Sequence, residues 1–156
     1  MKIKVVAVGN LKDKFNQLGA EEYIKRLKRF CTFEMKEVTE ENFVKEPNES
    51  EIKEILKREG TKISKEIEGA LVVLDIDGEK LSSPQLSKKI DDIFLSASTI
   101  TFVVGGSYGL DGEIKKLARL RLSFSDMTFP HQLMRVIMLE QIYRAMSIKA
   151  NLPYHK

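Results

Sequence analysis

Five short segments along the chain have the character of strands, and segments with helical spacing separate them. They cover residues 3–8, 33–38, 70–76, 100–104 and 122–125, and those at 3–8, 70–76 and 100–104 are largely apolar and rich in β-branched residues. Each has the length of one strand, and the nearly continuous apolar ones suit strands that are covered on both faces. Strands that alternate with helices build parallel sheets, because every return connection needs a crossover. The pattern therefore predicts an α/β domain with a mainly parallel sheet and helices on both faces.

Local signals mark where the helices should begin and end. Asn48 or Ser50 can cap the helix that follows a polar loop, and Gly60 can weaken or end that helix midway. The Ser-Pro pair at residues 83–84 is typical of a helix start. Asp111 suits the cap of a further short helix.

The strand at residues 70–76 carries an acidic residue near its end. The Asp-Gly pair at residues 77–78 predicts a turn directly after this strand. Asp75 can be catalytic, but such a residue more often bonds to backbone N–H groups in a turn or cap. The helix near residue 114 is predicted to turn its cations to solvent, namely Lys115, Lys116 and Arg119.

Length and composition indicate one soluble domain over residues 1–156, with no linker. A single cysteine, Cys31, excludes an internal disulfide, and two distant histidines do not suggest a structural zinc site. No signal peptide is recognisable, and no apolar run approaches the roughly 20 residues that cross a bilayer. We therefore expect a cytoplasmic protein. Its net charge of +3 is compatible with a polyanionic partner but not diagnostic of one.

A glycine cluster follows the fourth strand, at Gly105, Gly106 and Gly109. In open α/β sheets ligands bind at the carboxyl ends of strands, and glycine lets a ligand or a neighbouring backbone approach closely. The cluster matches neither the dinucleotide-binding pattern nor the P-loop. It fits either a ligand site or an ordinary tight turn. Residues 122–125 end in a comparable loop, which leads to Pro130 as the predicted first residue of a helix.

The predicted last helix, from about residue 130 to residue 149, is apolar on almost every side. One face of a sheet cannot bury such a helix, so a second side must be covered by the same chain or by another subunit. We favour a homodimer, and the alternative is a central helix in a monomeric core. Glu140 and Arg144 are four residues apart and should pair, which leaves Arg144 either structural or directed at a phosphate.

Aromatic and basic residues at the C terminus suggest contact with RNA. Pro153 stops any helix, Tyr154 can stack on a base, and His155 and Lys156 can donate to phosphate. Such a tail either forms a lid over an RNA site or is disordered. The cations within residues 25–29 can likewise meet RNA phosphates or form a solvated helix face.

Several strings carry a resemblance to a known family. They are KVVAVG at residues 4–9, FVVGGSYG at 102–109, LSFSDMTFPHQLMR at 122–135, EQIYRA at 140–145 and PYHK at 153–156. Together they resemble the bacterial ribosomal RNA large-subunit methyltransferase H family of the SPOUT superfamily. The resemblance spans essentially the whole chain and is loosest around residues 42–50. It implies a SPOUT-type fold with a C-terminal trefoil knot, and a homodimer.

The resemblance implies methyl transfer from S-adenosylmethionine to N3 of a pseudouridine in helix 69 of 23S rRNA within the ribosome. This reaction is an in-line displacement that needs positioning and removal of a proton, and no metal. The residues that would hold the donor lie near the ends of three strands, where apolar side chains can sandwich adenine and loop amides can bond its edge. They are Leu74, Gly105, Gly106, Ser125, Asp126, Met127, Thr128, Phe129 and Pro130.

On the acceptor side, the resemblance implies that Arg144, Tyr154 and His155 face the RNA, with the tail reaching over the partner's donor site. His155 suits a general base because an unperturbed histidine has a pKa near ~6.5. It can equally orient a phosphate or base while water or the RNA takes the proton. His131 is expected in the first helical turn or in the pocket wall.

Two other functions fit parts of the pattern. One is a non-enzymatic, flavodoxin-like module whose glycine turn binds a nucleotide or whose basic helix meets a protein. The other is a SPOUT methyltransferase that acts on transfer RNA.

Overall fold

A parallel β-sheet forms the centre of the molecule in the computed structural model, which describes residues 1–155. The strands in that range are β1 (Lys2–Val8), β2 (Thr32–Val38), β3 (Ala70–Lys80), β4 (Thr99–Val104) and β5 (Leu120–Ser123). They lie in the order β2-β1-β4-β3-β5, and every pairing is parallel.

Helices cover both faces of this sheet. They are α1 (Lys14–Leu27), α2 (Glu49–Ser64), α3 (Ser83–Phe94), α4 (Gly112–Leu117) and α5 (His131–Lys149). One apolar cluster joins the sheet to α1, α3 and α5, and a second cluster joins the other face to α2 and α4. The predicted α/β class with a parallel sheet is confirmed.

Capping fixes two of the helix starts as the sequence suggests. Asn48 forms a capping box with Glu51 at the start of α2, and Ser82 forms one with Gln85 at the start of α3. Gly60 does not interrupt α2, which continues through it to Ser64 with Gly60 buried. Asp111 precedes α4 but makes no capping hydrogen bond through its side chain.

Several predicted boundaries were wrong by a few residues. The sequence pattern of apolar residues continues to Phe30, but helix α1 ends at Leu27. Strand β5 ends at Ser123, not at residue 125. Pro130 caps α5, whose first helical residue is His131. Ends shift in this way because fraying and final-turn geometry do not follow hydrophobic periodicity.

The predicted turn at residues 77–78 was also wrong. Strand β3 pairs with β5 through Leu74, shifts register, and pairs with it again at Glu79 and Lys80. The chain therefore bulges at 75–78 and rejoins the sheet, because β5 supplies a second set of backbone partners.

Helix α5 is covered on two flanks by its own chain, because α1 and α3 both pack against it. Its deepest residues, such as Met138, Leu139 and Ile142, have no exposed surface. A stripe on the outward side is only half-buried, and it comprises Leu133, Ile137, Glu140, Arg144 and Ile148.

A buried arginine ties α5 to the carboxyl end of β1. Arg135 is 1% exposed. Its guanidinium donates to the carbonyl oxygens of Val8 (3.1 Å) and Gly9 (2.8 Å) and pairs with Glu37 at 2.5 Å. The chain thus returns from the edge strand β5 to the middle of the sheet, where this side chain holds it.

We expect Arg135→Met to lower the free energy of unfolding by about 3 kcal/mol, because it leaves Glu37 and two buried carbonyls without their donor. Lys116→Met is the matched control, since Lys116 is exposed and pairs only with the exposed Glu113. Urea unfolding followed by circular dichroism measures both. An equal loss in the two variants would contradict the anchoring role of Arg135.

Candidate active site

An open cleft lies at the carboxyl ends of β3, β4 and β5. Its cavity volume is about 190 Å³. Glycines, serines and apolar side chains form most of its surface. The lining residues are Leu74, Asp75, Ile76, Val104, Gly105, Gly106, Gly109, Leu122, Ser123, Phe124, Ser125, Met127, Thr128, Phe129, His131 and Met134.

One wall of the cleft is the glycine loop after β4. A Cβ at Gly105 would lie 2.4 Å from the carbonyl oxygen of Gly109, so no other residue fits without moving the backbone. Gly109 has a φ of +90° and donates its N–H to the oxygen of Gly106 at 3.1 Å. The loop is therefore a closed turn that presents main chain to the cleft.

The opposite wall is the segment between β5 and α5. Ser123 donates its hydroxyl to the oxygen of Ser125 at 3.2 Å, and the N–H of Met127 donates to the Ser125 hydroxyl at 3.0 Å. Asp126 instead pairs with Lys80 on β3 at 2.5 Å. Serine side chains thus shape this loop without any ligand.

A buried carboxylate stands at the floor of the cleft. The side chain of Asp75 is 2% exposed, and it accepts from Lys115 at 3.1 Å and from Nε of Arg121 at 2.8 Å. Burial alone would raise its pKa, but the bonds from Arg121 and Lys115 outweigh burial and lower it. Asp75 therefore joins β3 to α4 and β5 through two ion pairs. The prediction that Lys115 faces solvent was wrong.

A second buried carboxylate lies behind the glycine loop. Glu59 on α2 is 3% exposed and accepts the N–H of Glu41 at 3.0 Å. Its other oxygen would be 3.4 Å from a Cβ on Gly106. Burial raises the pKa of Glu59, although the hydrogen bond from Glu41 opposes the rise. This side chain supports the loop from outside the cleft.

The residues expected to handle RNA form a separate cluster at the far end of α5. Arg144 pairs with Glu140 at 2.6 Å and lies 4.7 Å from the ring centre of Tyr154. The hydroxyl of Tyr154 donates to Glu140 at 3.0 Å, and burial together with Tyr23 and Glu140 raises its pKa. His155 is exposed, and Lys156 lies outside the described residues.

This cluster and the cleft lie apart within one chain. Arg144 is thirteen residues beyond His131, which lines the cleft. At 1.5 Å per residue, the two are separated by about 20 Å along the helix axis. A single chain therefore does not bring its own tail over its own cleft.

Metal sites and membrane spans are two further features to consider in residues 1–155. No group of three or more His, Cys, Asp or Glu side chains in that range is arranged to hold a metal ion. No helix there combines the length and apolar character that a membrane span requires.

Comparison with known proteins decides the family. The model described as "Predicted SPOUT methyltransferase" matches residues 1–155. Proteins named "Ribosomal RNA large subunit methyltransferase H" from Acetivibrio thermocellus and Streptococcus pneumoniae are each 45% identical to this chain, over the full length of both sequences. The chain belongs to the ribosomal RNA large subunit methyltransferase H family of SPOUT methyltransferases. The resemblance carried by the strings is therefore confirmed.

Solved structures support the SPOUT methyltransferase fold. A probable methylase family protein from Haemophilus influenzae superposes with a TM-score of 0.56 at 11% identity, covering 99% of this chain and 70% of that one. A putative methyltransferase from Legionella pneumophila, solved with bound SAM, gives 0.50 at 8% identity, covering 93% and 66%. At such identities the likeness concerns the fold alone.

The structure brings together most of the residues that the family resemblance nominates for the donor. Leu74, Gly105, Gly106, Ser125, Met127, Thr128 and Phe129 all line the one cleft. Asp126 does not line the cleft, because its side chain pairs with Lys80. Pro130 occupies the N-cap position of α5, between the cleft residues Phe129 and His131. His131 lines the cleft as expected.

Two side chains of this family member escaped the sequence reasoning. Glu59 was not singled out in the sequence, and Lys115 was predicted to face solvent. Their partners are distant in sequence, so no local pattern marks them. Asp75 was noted at its strand end, but its two cationic partners were not.

Glu59 gives a prediction for pH dependence. The pKa of Glu59 is higher in the folded state than its ordinary value of 4.5. The contribution of Glu59 to the free energy of unfolding therefore decreases as pH rises above 4.5. We expect Glu59→Gln, measured by thermal unfolding between about pH 4 and pH 8, to gain stability relative to the native protein with rising pH. Glu46→Gln, on an exposed loop, is the control. A pH-independent difference for Glu59→Gln would contradict the raised pKa.

Proposed function

We propose that this chain transfers a methyl group from S-adenosylmethionine to N3 of a pseudouridine in helix 69 of 23S rRNA within the ribosome. The observation that carries the proposal is the meeting of the glycine loop and the 124–130 segment at one cleft. The names of the full-length relatives support ribosomal RNA as the substrate, and the SAM-bound Legionella protein supports the donor. Family membership favours an enzyme over a non-enzymatic module.

The residues of the cleft fit such a donor. When bound, S-adenosylmethionine supplies an electrophilic methyl group on a sulfonium. The closed turn at Gly105 presents main chain to the cleft, and Leu74 and Phe129 offer apolar surface for a purine. The only carboxylate among the lining residues is Asp75, which its cations neutralise. The chain thus contributes chiefly the positioning of the reacting groups.

On the acceptor side we assign the tail cluster. Glu140 holds Arg144, and Arg144 lies over the ring of Tyr154, so that a cation and an aromatic are already oriented for RNA. His155 is exposed and free to approach a bound nucleotide. It is our candidate for taking the N3 proton, and water or the RNA itself is the alternative.

The separation of tail and cleft leads us to propose a homodimer. The half-buried outward stripe of α5 offers an apolar surface at Leu133 and Ile137, next to the paired Glu140 and Arg144. Helix α1, which packs against α5, carries the exposed side chains of Phe15 and Leu18. A second copy packed there would cover this surface and could bring its tail to the cleft of the first.

Three further features belong to the proposal. We expect residues 1–156 to act as a single domain in the cytoplasm, where ribosomes are found. We also expect the trefoil knot of the SPOUT superfamily. The path from β5 to α5, held by Arg135 at the carboxyl end of β1, is consistent with such a crossing.

The function is tested by donor binding and by methyl incorporation. We expect S-adenosylhomocysteine to bind the native protein in titration calorimetry, and Gly105→Ala to bind at least about tenfold more weakly because its Cβ meets the Gly109 backbone. Gly112→Ala is the control, since a Cβ there meets nothing within 4 Å.

Ribosomes with and without the pseudouridine serve as methyl acceptors, together with transfer RNA. We expect methyl incorporation only into ribosomes that carry the pseudouridine. No heat with millimolar ligand, or incorporation only into transfer RNA, would contradict the proposal.

The dimer is tested by mixing two variants of low activity, assayed at a donor concentration too low to saturate Gly105→Ala. Gly105→Ala damages the cleft, and Arg144→Ala damages the tail without touching the cleft. If each site takes its cleft from one chain and its tail from the other, random mixed dimers contain one intact site. Equimolar mixing should then restore about one quarter of the native rate. No recovery, in a mixture shown by sedimentation to exchange subunits, would contradict a shared site.

A further inference from the structure

A group of exposed cations lies where α1 ends. Lys25 is in the last turn of this helix, Lys28 is its C-cap residue, and Arg29 follows directly. We call these three residues the basic corner. Their side chains are exposed, and none of them pairs with an acidic side chain within residues 1–155. Because residues 23–33 contain four cations and no acidic residue, the basic corner presents positive charge to solvent.

The basic corner adjoins the cluster that we assign to the RNA. Arg26, in the same segment, places its guanidinium 5.6 Å from the ring centres of both Tyr23 and Tyr143. Tyr143 on α5 contacts Tyr154 of the tail, with 4.8 Å between the ring centres. Arg144 lies over the other side of this contact, 4.7 Å from the ring centre of Tyr154. A continuous set of cation–aromatic and ring contacts thus joins the end of α1 to the tail.

Arg26 is a structural member of this set. It donates to Glu22 at 2.7 Å, so its charge is compensated on the helix while its guanidinium packs on two rings. The end of α1 is therefore fixed relative to the tail. The charges of the basic corner occupy a defined place beside Tyr154.

Two ordinary explanations account for only part of this surface. Cations in the last turn of a helix offset its dipole, which applies to Lys25 but not to Arg29, because Arg29 lies beyond the cap. Exposed lysines without an acidic partner also occur on α2, at Lys53 and Lys57, and at its cap, Lys65. That helix covers the opposite face of the sheet. Position beside the tail, and not charge alone, distinguishes the basic corner.

The chemistry of the tail decides the partner, so the inference rests on the proposed function. A nucleotide that an aromatic ring and an arginine hold is continued on both sides by phosphates, each with a negative charge. We propose that the basic corner binds phosphates of the RNA that flank the nucleotide held by the tail of the same chain. It supplies affinity for the RNA and contacts neither the donor nor the reacting atoms. In the proposed dimer it serves the site whose cleft belongs to the partner.

The surface is tested with a neutral-corner variant that combines Lys25→Gln, Lys28→Gln and Arg29→Gln. At about 0.1 M salt, its KM for ribosomes should rise at least about tenfold, because three phosphate contacts are lost. Its kcat and its Kd for S-adenosylhomocysteine should stay near the native values. In co-sedimentation with ribosomes, the slope of log affinity against log salt should become shallower by about 2.

Two matched variants serve as controls. Lys25→Arg with Lys28→Arg and Arg29→Lys keeps every charge, and it should keep the native KM and salt slope. Replacing Lys53, Lys57 and Lys65 together by Gln removes the same charge from the opposite face of the sheet, and the KM for ribosomes should change little. Circular dichroism confirms that each variant is folded, and sedimentation confirms its oligomeric state.

Mixing assigns the basic corner to one subunit of the proposed dimer. The mixtures are assayed with ribosomes well below the native KM. The neutral-corner variant mixed with Gly105→Ala should restore about one quarter of the native rate, because one site of each mixed dimer is intact. Mixed with Arg144→Ala it should restore no activity, since tail and corner come from the same chain. Recovery with Arg144→Ala alone would overturn the proposal by assigning the corner to the cleft side.

The other outcomes are equally decisive. A native KM in the neutral-corner variant, or an equal rise in the α2 variant, would overturn the proposal. A raised KM with dissociation of the dimer would overturn it too, by assigning the corner to a subunit contact. Loss of binding to phosphatidylglycerol vesicles with an unchanged KM for ribosomes would assign the surface to a membrane and reject it.

Failure of the proposed function has its own signature. If the native protein methylates no ribosomes, the proposed function is rejected, whatever the corner variants do. If neither mixture recovers activity, the shared site is rejected, and the KM for ribosomes decides the basic corner alone.

Discussion

Parallel pairing of the strands is the constraint on which the rest of the structure depends. Because β3, β4 and β5 run in one direction, their carboxyl ends meet at the same edge of the sheet. The bulge, the glycine loop and the segment leading to α5 leave from these ends, and so they meet around one cleft. The final helix must then return from the edge strand, and Arg135 fixes it against Val8 and Gly9.

Charge and main chain have different tasks in this molecule. Buried charged side chains form ion pairs that hold separate parts of the chain together. Asp75 joins three elements below the cleft, and Lys4, nearer the amino end of β1, is 3% exposed and binds Glu66 and Glu68 at 3.0 and 2.8 Å. The cleft itself is shaped by backbone turns and apolar side chains. This division suits the proposed donor, because a site preorganised by backbone needs little rearrangement when a ligand enters.

Helix α5 connects the two halves of the proposed site and also separates them. Its first turn contributes His131 and Met134 to the cleft, and its fourth turn carries Arg144, which is held by Glu140 and lies over Tyr154. A rigid helix keeps these groups about 20 Å apart in one chain. The proposed dimer therefore gives the fold a way to combine a donor cleft with an RNA-facing tail.

The sequence by itself determined the strand and helix pattern, the α/β class and the family. These depend on periodicity, caps such as Asn48 and Ser82, and strings of adjacent residues, all of which are local. The family resemblance nominated Leu74, Gly105, Gly106 and residues 125–130, and most of these line the cleft.

Only the tertiary structure decided the bulge in β3, the neutralisation of Asp75 by Lys115 and Arg121, and the anchoring of Arg135. These contacts join residues 40, 46 and 127 positions apart. Their partners are set by how the sheet is ordered and how the last helix returns across it, and no periodicity along the chain encodes that order.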